Sequence, residues 1–242
     1  MKKLRLDQAM AERGLVDSRT KAAGLIMAGQ VKVGGKLVDK AGYFVAADES
    51  IAITAGPQYV SRGGEKLASV ADRLGLDFKD KIVLDIGSST GGFTDYALQN
   101  GATKVYAVDV GTGQLYYSLR TDPRVVVMER TDIRDIQSLP DQIDIVVIDV
   151  SFISLKIILP SVAKLSTKKT QIIAMAKPHF EADRITASKN KGVIKNKTIR
   201  RDILKKVETF MKKDFVVLAK ADSQVLGRKG NQERFYLLRK IT

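Results

Sequence analysis

Cysteine is absent from the 242 residues, and histidine occurs once, at His179. A chain without cysteine holds no disulfide framework and no thiolate zinc site. One histidine cannot by itself build a metal cluster, so no metal is expected. No stretch approaches the roughly 18 consecutive apolar residues of a membrane-spanning helix. The opening Met1-Lys2-Lys3-Leu4-Arg5-Leu6-Asp7 is basic but leads into no apolar segment of the kind that makes a signal peptide. Internal repeats and low-complexity tails are also lacking. These absences point to a cytoplasmic protein without a membrane partner, expected to be a monomer.

Positive charge is in excess. Lys and Arg number 41 against 27 Asp and Glu, a formal net charge of +14. Such a surplus favours a polyanion, because bound cations release condensed counterions from a nucleic-acid backbone. An anionic membrane surface attracts the same charge, so composition leaves both open. With 44% hydrophobic and 28% charged residues the chain reads as an ordinary globular protein. Its length suits one large domain, or one medium domain and one small one.

The first part, residues 1–57, reads as a small α+β unit. Leu4, Leu6, Ala9, Met10 and Leu15 support an amphipathic helix closed by Gly14. Ser18 is a candidate N-cap for a second helix over 19–28, stopped by Gly29. Val31-Lys32-Val33 and Lys36-Leu37-Val38 flank Gly34-Gly35, a hairpin signal. A short strand over 51–54 follows, and Ala55-Gly56-Pro57 breaks the pattern. From residue 81 onward, within a second domain spanning 58–242, apolar runs at 82–86, 104–110, 125–128, 143–150 and 171–176 alternate with helical stretches such as 93–99 and 152–165. Strands buried on both faces and linked by helices define an α/β protein with a Rossmann-like, doubly wound parallel sheet. A helix over 199–211 and strands over 215–221 and 234–239 complete it.

The most specific local signal is Val83-Leu84-Asp85-Ile86-Gly87-Ser88-Ser89-Thr90-Gly91-Gly92-Phe93. A buried strand runs into a glycine-rich turn that opens a helix, and ligands of open α/β sheets bind outside such strand ends. A nicotinamide dinucleotide prefers Gly-x-Gly-x-x-Gly. Here Gly87 is followed by Gly91 and Gly92, and Asp85 precedes the turn. A carboxylate there suits a ligand with an ammonium group and no phosphate, as S-adenosylmethionine has. Asp109, at the end of the second strand, is placed to accept ribose hydroxyls, and Asp132, after the third, to meet an adenine edge. The same three aspartates also suit strand-end capping, and Ser88 and Thr90 suit a plain turn.

Asp149 ends the fourth strand and Lys177 the fifth, which puts a carboxylate and an amine at neighbouring strand ends. Methyl transfer to an alcohol needs an in-line acceptor and removal of its proton. A lysine whose ammonium is destabilised by a nearby cation can take that proton. A salt bridge at the sheet rim is the other reading of the same two residues.

Five blocks taken in order carry a family resemblance over nearly the whole chain. They are Ser18-Arg19-Thr20-Lys21-Ala22 with the Gly34-Gly35 hairpin; Tyr59 through Leu67, which contains Ser61-Arg62-Gly63-Gly64-Glu65-Lys66; Asp85 through Phe93; Asp149-Val150-Ser151-Phe152 with Lys177-Pro178-His179-Phe180-Glu181; and Lys229-Gly230-Asn231-Gln232-Glu233. Together they resemble the TlyA family, also labelled haemolysin A, of ribosomal RNA 2′-O-methyltransferases. The resemblance implies an S4 RNA-binding domain joined to an FtsJ-like methyltransferase domain, with S-adenosylmethionine as cofactor. It also implies a catalytic set falling on Lys66, Asp149, Lys177 and Glu233. Lys177 is then nearest the ribose hydroxyl, Lys66 raises the local positive potential, and the two acids orient the amines. Without the resemblance, Lys66 and Glu233 read as solvated surface charges. His179 stands where the family is expected to carry Gln, and Asp132 where Asn is common.

Arg19, Lys21, Lys32 and Lys36 lie on the expected second helix and hairpin, the elements an S4-like module presents to RNA. A second basic stretch over 189–201 contains Lys189, Lys191, Lys195 and Lys197 and no acid. Its phosphate contacts would position RNA without reading sequence. Phe152 and Phe180 suit either a core position or stacking on a splayed base. The partner expected is ribosomal RNA or a ribosomal subunit, with a cytidine of the large-subunit RNA as target, since the short stretch after Glu233 resembles the family's shorter type. Two rivals remain at this level: a membrane-active haemolysin, which no leader or spanning segment supports, and a cofactor-holding RNA assembly factor without catalysis, against which all four catalytic-set residues argue.

Overall fold

The computed structural model describes residues 3–54, 56–227 and 229–241. The chain forms two compact units, Met1–Gln58 and Tyr59–Thr242. The first contains β1 (Leu4–Arg5), α1 (Leu6–Glu12), α2 (Arg19–Met27), β2 (Val31–Val33), β3 (Lys36–Leu37), β4 (Phe44–Val45) and β5 (Ile51–Ile53). The second contains α3 (Arg62–Leu74), β6 (Ile82–Ile86), α4 (Gly92–Gln99), β7 (Lys104–Val108), α5 (Tyr117–Arg120), β8 (Val125–Met128), β9 (Ile145–Ile148), α6 (Leu155–Leu165), β10 (Gln171–Ala176), α7 (Pro178–Glu181), α8 (Arg184–Lys189), α9 (Lys197–Met211), β11 (Phe215–Asp222) and β12 (Arg234–Lys240).

In the first unit Leu6, Ala9 and Met10 of α1 meet Ala22 and Ile26 of α2 over Val31, Val33 and Val45. Ser18 caps α2 by accepting from the Lys21 amide. Gly34 and Gly35 both have positive φ, which the tight β2–β3 hairpin requires. The expected first helix is shorter than its apolar pattern. Leu4 belongs instead to β1, which pairs antiparallel with β4. Leu15 is exposed and Val16 takes the buried place. Asp7 is buried in this unit and holds two guanidiniums, Arg5 at 3.0 Å and Arg19 at 3.2 Å.

The second unit is a seven-stranded sheet in the order β11-β12-β10-β9-β6-β7-β8. Strands β10, β9, β6, β7 and β8 pair in parallel, and β12 lies antiparallel between β10 and the edge strand β11. One core packs α3 and α4 on one face, with Leu67, Val70, Phe93 and Tyr96 against Val83, Ile145 and Phe235. The other packs α6 and α9, with Ile158, Val162, Leu204 and Val207 against Leu84, Val146 and Tyr236. The chain builds outward from β6 through β7 to β8, then returns to place β9 on the other side of β6. This reversal makes β6 and β9 the switch point, where open α/β sheets leave a crevice at the carboxyl ends of their strands.

The buried Asp7 sets an acid limit on the first unit. Its hydrogen bonds from Arg5 outweigh burial, and with Arg19 and the Gln8 amide they hold the carboxyl at about 2, against an ordinary 3.8. A carboxyl lowered by folding stabilises the fold above its unfolded value, and that stability is lost as pH falls through the folded value. The protection factors of the α1 and α2 amides, taken against intrinsic exchange, should therefore fall between pH 4 and pH 2 in the full chain. Asp7→Asn should abolish this dependence and cost about 1–3 kcal/mol at neutral pH. Protection that is flat with pH in the wild type would exclude Asp7 as the keystone.

Candidate active site at the sheet switch point

The turn after β6 is shaped by its neighbours. The amides of Gly87 and Ser88 both donate to the Val108 carbonyl of β7, at 2.9 and 3.1 Å. Gly87 has φ 82°, and a methyl group there would sit 2.7 Å from the Asp149 carbonyl at the end of β9. Gly91 has φ 97° and lies against Leu119 and Leu115. Gly92 opens α4 so close to the start of α3 that a methyl group would meet Ser61 and stand 2.8 Å from the Gly64 amide. Ser88 and Phe93 are buried, whereas Ser89 and Thr90 are exposed. A cleft at this turn is lined by Ser61, Gly63, Asp85, the residues of the turn and Asp149.

Asp85 is fully buried beneath the turn. Its Oδ2 accepts a 2.6 Å hydrogen bond from the Thr94 hydroxyl. Its Oδ1 has no partner among the described residues. Burial pushes this carboxyl up to about 7; the Thr94 bond opposes the rise, and Asp149 and Asp109 add to it. A buried carboxylate oxygen without a donor, facing a cleft that backbone can approach closely, fits a ligand bearing an ammonium group.

Asp109 follows β7 directly. Its Oδ2 accepts from the Ser89 amide at 2.8 Å and its Oδ1 from the Gly111 amide at 2.7 Å. Each oxygen keeps a further lone pair, so the carboxylate is oriented without being used up. The segment after it is fastened by Glu129, which accepts from the amides of Gly113, Gln114 and Leu115 and pairs with Arg120. That seats Gln114 beside Ser89, whose hydroxyl lies 3.1 Å from Gln114 Oε1. Asp132 caps a short turn, Ile133–Asp135, and both its oxygens accept from Arg134 at 2.6–2.9 Å.

Lys66, Asp149, Lys177 and Glu233 come together as two ion pairs. Lys177 Nζ stands 2.5 Å from Asp149 Oδ1 and donates to Ser151 Oγ at 2.8 Å. Lys66 Nζ donates to Glu233 Oε1 at 3.1 Å. Both amines are about nine-tenths buried, and Glu233 is 3% exposed along its side chain. The pairs act on one another. Burial pushes the Asp149 carboxyl up, Lys177 and then Lys66 pull it down, and Glu233 pushes it further up. Gly227 leaves room for the Glu233 carboxylate, since a methyl group there would lie 2.7 Å from Oε1. His179 packs its ring on Phe180 at 4.1 Å, and its Nδ1 is buried without a partner among the described residues. Burial lowers the His179 pKa, Glu233 opposes this, and Lys177 and Lys66 add to it.

Several contributors carry no obvious sequence signal. Glu181 accepts from the Ser154 hydroxyl and the Leu155 amide, tying the segment after β10 to the start of α6. Asn231 accepts from the Ile194 amide and donates to the Gly192 carbonyl, tying the basic stretch to the loop that carries Glu233. Phe152, expected to start a helix, stands outside it with φ 64° and 90% exposure, 5.0 Å from the Phe180 ring. Helix α6 begins only at Leu155, capped by Ser154. Ser61 is the one missed residue with a readable signal, a serine directly before a helical repeat of Leu67, Val70, Ala71 and Leu74.

The basic residues divide. Lys189, Lys191, Lys195 and Lys197 are exposed in the second unit, as are Lys32 and Lys36 in the first. Lys21 pairs with Asp17 at 2.8 Å and Arg19 with Asp7. Arg200, beside the second basic stretch, is engaged by Asp222 at 2.7 Å. No helix among the described residues is long and apolar enough to cross a membrane. No group of three or more His, Cys, Asp or Glu side chains that could hold a metal occurs among them.

A parallel sheet with a glycine turn at its switch point, an acidic end to its second strand and a lysine–carboxylate set beside them defines an α/β methyltransferase. The chain belongs to the FtsJ-like methyltransferase family, whose model matches residues 59–240, and an S4 domain model matches residues 4–51. A Bacillus subtilis relative, YqxC, described as a candidate rRNA methyltransferase, is 43% identical over 240 residues, covering 96% of this chain and 84% of its own. The Mycobacterium tuberculosis protein named 16S/23S rRNA (cytidine-2′-O)-methyltransferase TlyA is 35% identical, covering all of this chain and 91% of its own. A solved Streptococcus thermophilus structure, described as a candidate hemolysin, is 38% identical with a TM-score of 0.75, covering 99% of this chain and 89% of that one.

Asp85 trades stability for its site. A carboxyl raised by folding is neutral and harmless at low pH, and its burial penalty grows as pH rises from its unfolded value of 3.8 to about 7. Asp85→Asn keeps an acceptor for Thr94 and removes the charge. The variant should be more stable than wild type above pH 7, by up to about 4 kcal/mol, and no more stable near pH 4. Thermal unfolding across pH 4–9 checks this, and a pH-independent difference would show that Asp85 is not forced to ionise while buried.

Proposed function

We propose that this protein is an S-adenosylmethionine-dependent 2′-O-methyltransferase of ribosomal RNA, acting on a cytidine of the large-subunit RNA. The observation that carries the reading is the pairing of Lys177 with Asp149, and of Lys66 with Glu233, at the strand ends beside the glycine turn. The names of the relatives support the choice of substrate.

The turn residues Gly87, Ser88, Ser89, Thr90, Gly91, Gly92 and Phe93 form the wall against which the cofactor lies. Asp85 faces its ammonium end, and Asp109, oriented by the Ser89 and Gly111 amides, accepts from its ribose. Asp132, whose Oδ2 accepts one bond from Arg134 and keeps a lone pair, serves the adenine edge. When bound, S-adenosylmethionine supplies an electrophilic methyl group and carries away the electron pair of its carbon–sulfur bond. Lys177 holds the acceptor 2′-oxygen in line and takes the hydroxyl proton as the new oxygen–carbon bond forms, and Asp149 balances the resulting ammonium. Lys66, the second amine of the set, keeps the local potential positive beside the acceptor. Ser151 and Asp149 fix the amine's direction, and Glu233 fixes Lys66. Exposed Phe152, with Phe180 behind it, offers a face to the displaced base. Lys189, Lys191, Lys195 and Lys197 contact phosphates near the acceptor, and Arg19, Lys21, Lys32 and Lys36 do so from the S4 domain.

Purified 50S and 30S particles from a strain lacking this activity, incubated separately with protein and labelled cofactor, test the reading. Stoichiometric 2′-O-methyl label on a 50S cytidine is expected, with none in the 30S particle. Lys177→Ala should abolish transfer and leave cofactor affinity near wild type, and Lys177→Arg should fail as well, because a guanidinium does not accept a proton near neutral pH. No label in either particle would overturn the reading; label in the 30S particle would overturn the restriction to the large subunit; an active Arg variant would make Lys177 an orienting group and not the proton acceptor.

A further inference from the structure

The edge strand β11 contains a register shift that changes what lies on each face. Between Val217 and Ala219 the pairing with β12 skips Leu218, a β-bulge. Before the bulge, Phe215 and Val217 belong to the core on the α9 side. After it, Ala219 and Ala221 belong to the core on the α3 side. Simple alternation would have kept all four residues on one face. Because the bulge inverts the order, Lys220 and Asp222 now point to α9. Lys220 lies 3.0 Å from Glu208 of α9, and Asp222 lies 2.7 Å from both Arg200 of α9 and Arg234 of β12. Bulges commonly re-aim side chains in this way.

The re-aimed residues meet a cationic stripe. Arg201, Lys205, Glu208 and Lys212 follow one another on α9 at spacings of four, three and four residues, which places them on one face of a helix. They border a groove of about 280 Å³ whose other wall includes Lys220 and Arg234. Among the described residues lining this groove Glu208 is the only acid, and it is occupied by Lys212 and Lys220. Arg200, the residue before the stripe, donates its Nε to the Gln232 carbonyl, one residue before Glu233. Arg201 and Lys205 stand one helical turn apart, about 5–6 Å along α9, so two cations face the same side of the groove.

We propose that the groove between α9 and β11 is a track for the phosphodiester backbone of the RNA substrate, leading away from the acceptor nucleotide. The proposal rests on the reading of the protein as an rRNA methyltransferase, and it adds a binding surface separate from the 189–197 stretch and from the S4 domain. Arg201 and Lys205 make the direct phosphate contacts. Lys212 and Lys220, held by Glu208, set the far end.

Equilibrium binding of the full chain to protein-free large-subunit RNA over 50–200 mM salt tests it without any chemistry. Arg201→Gln with Lys205→Gln should weaken binding roughly tenfold and lower the salt slope by about 2. Lys206→Gln with Lys213→Gln removes the same net charge from α9 and the residue just beyond its capping position, outside the groove lining, and should leave the slope near wild type. S-adenosylmethionine affinity serves as the folding control for both. Equal effects of the two double variants would show that net charge and not the groove matters, and would overturn the proposal. A groove variant with the wild-type slope for RNA but reduced binding to vesicles of anionic lipid would overturn it in favour of a membrane surface. If wild type binds RNA with the expected groove dependence but transfers no methyl group, the enzymatic reading fails and the track stands.

Discussion

The second unit is organised by one close approach. The backbone of the glycine turn after β6 passes within van der Waals contact of the Asp149 carbonyl at the end of β9, and the Asp149 amide donates to the Ile86 carbonyl at 3.0 Å. Only a residue without a side chain fits at Gly87, so this crossing fixes where the two strands at the switch point end. The candidate site is measured from that point. Asp85 lies two residues before it, Asp149 at it, and Lys177 one strand further along.

Around that crossing the protein concentrates charge that would be costly elsewhere. Two lysines and two acids are largely withdrawn from water and face one another as two ion pairs. Buried ion pairs of this kind contribute little net stability, because desolvation offsets the attraction. Their persistence here is explained by what they do to direction: Ser151 and Asp149 leave Lys177 one orientation, and Glu233 leaves Lys66 one. Glu181 supports the same geometry from behind by holding the ends of β9 and β10 to a common helix start.

Much of this was legible in the chain. Strands β6 and β10 begin and end where their apolar runs do, because a strand buried on both faces leaves an unbroken hydrophobic stretch; the edge strand β8 also matches its run, although Val126 is exposed. The glycine turn and the acidic ends of β6 and β7 are local, so spacing exposes them. Lys66 and Glu233 are different. They are 167 residues apart and meet only through the fold, so nothing in their own surroundings separates them from surface charges, and the family resemblance alone singled them out. Helix α3 was hidden because Arg62-Gly63-Gly64 looks like a break, although Gly63 and Gly64 are there to let α3 approach α4 and Tyr59. The bulge at Leu218 was invisible, since Phe215 to Ala221 reads as uninterrupted strand whichever face each residue takes. Asp132 caps the turn that follows it and pairs with Arg134.

Asn231 has a consequence for how such a sequence can change length. Its side chain grips the chain on both sides of Val193, through the Gly192 carbonyl and the Ile194 amide, and it stands two residues before Glu233. One amide group therefore sets the phase of two distant segments at once. Helix α8 lies on the surface with no buried residue, and residues can be added or lost there without disturbing the grip. A single insertion between Gly192 and Ile194, or between Asn231 and Glu233, would shift one segment against the other and carry the carboxylate off its lysine. Length variation in this region should accordingly collect on the α8 side of Gly192 and stop there.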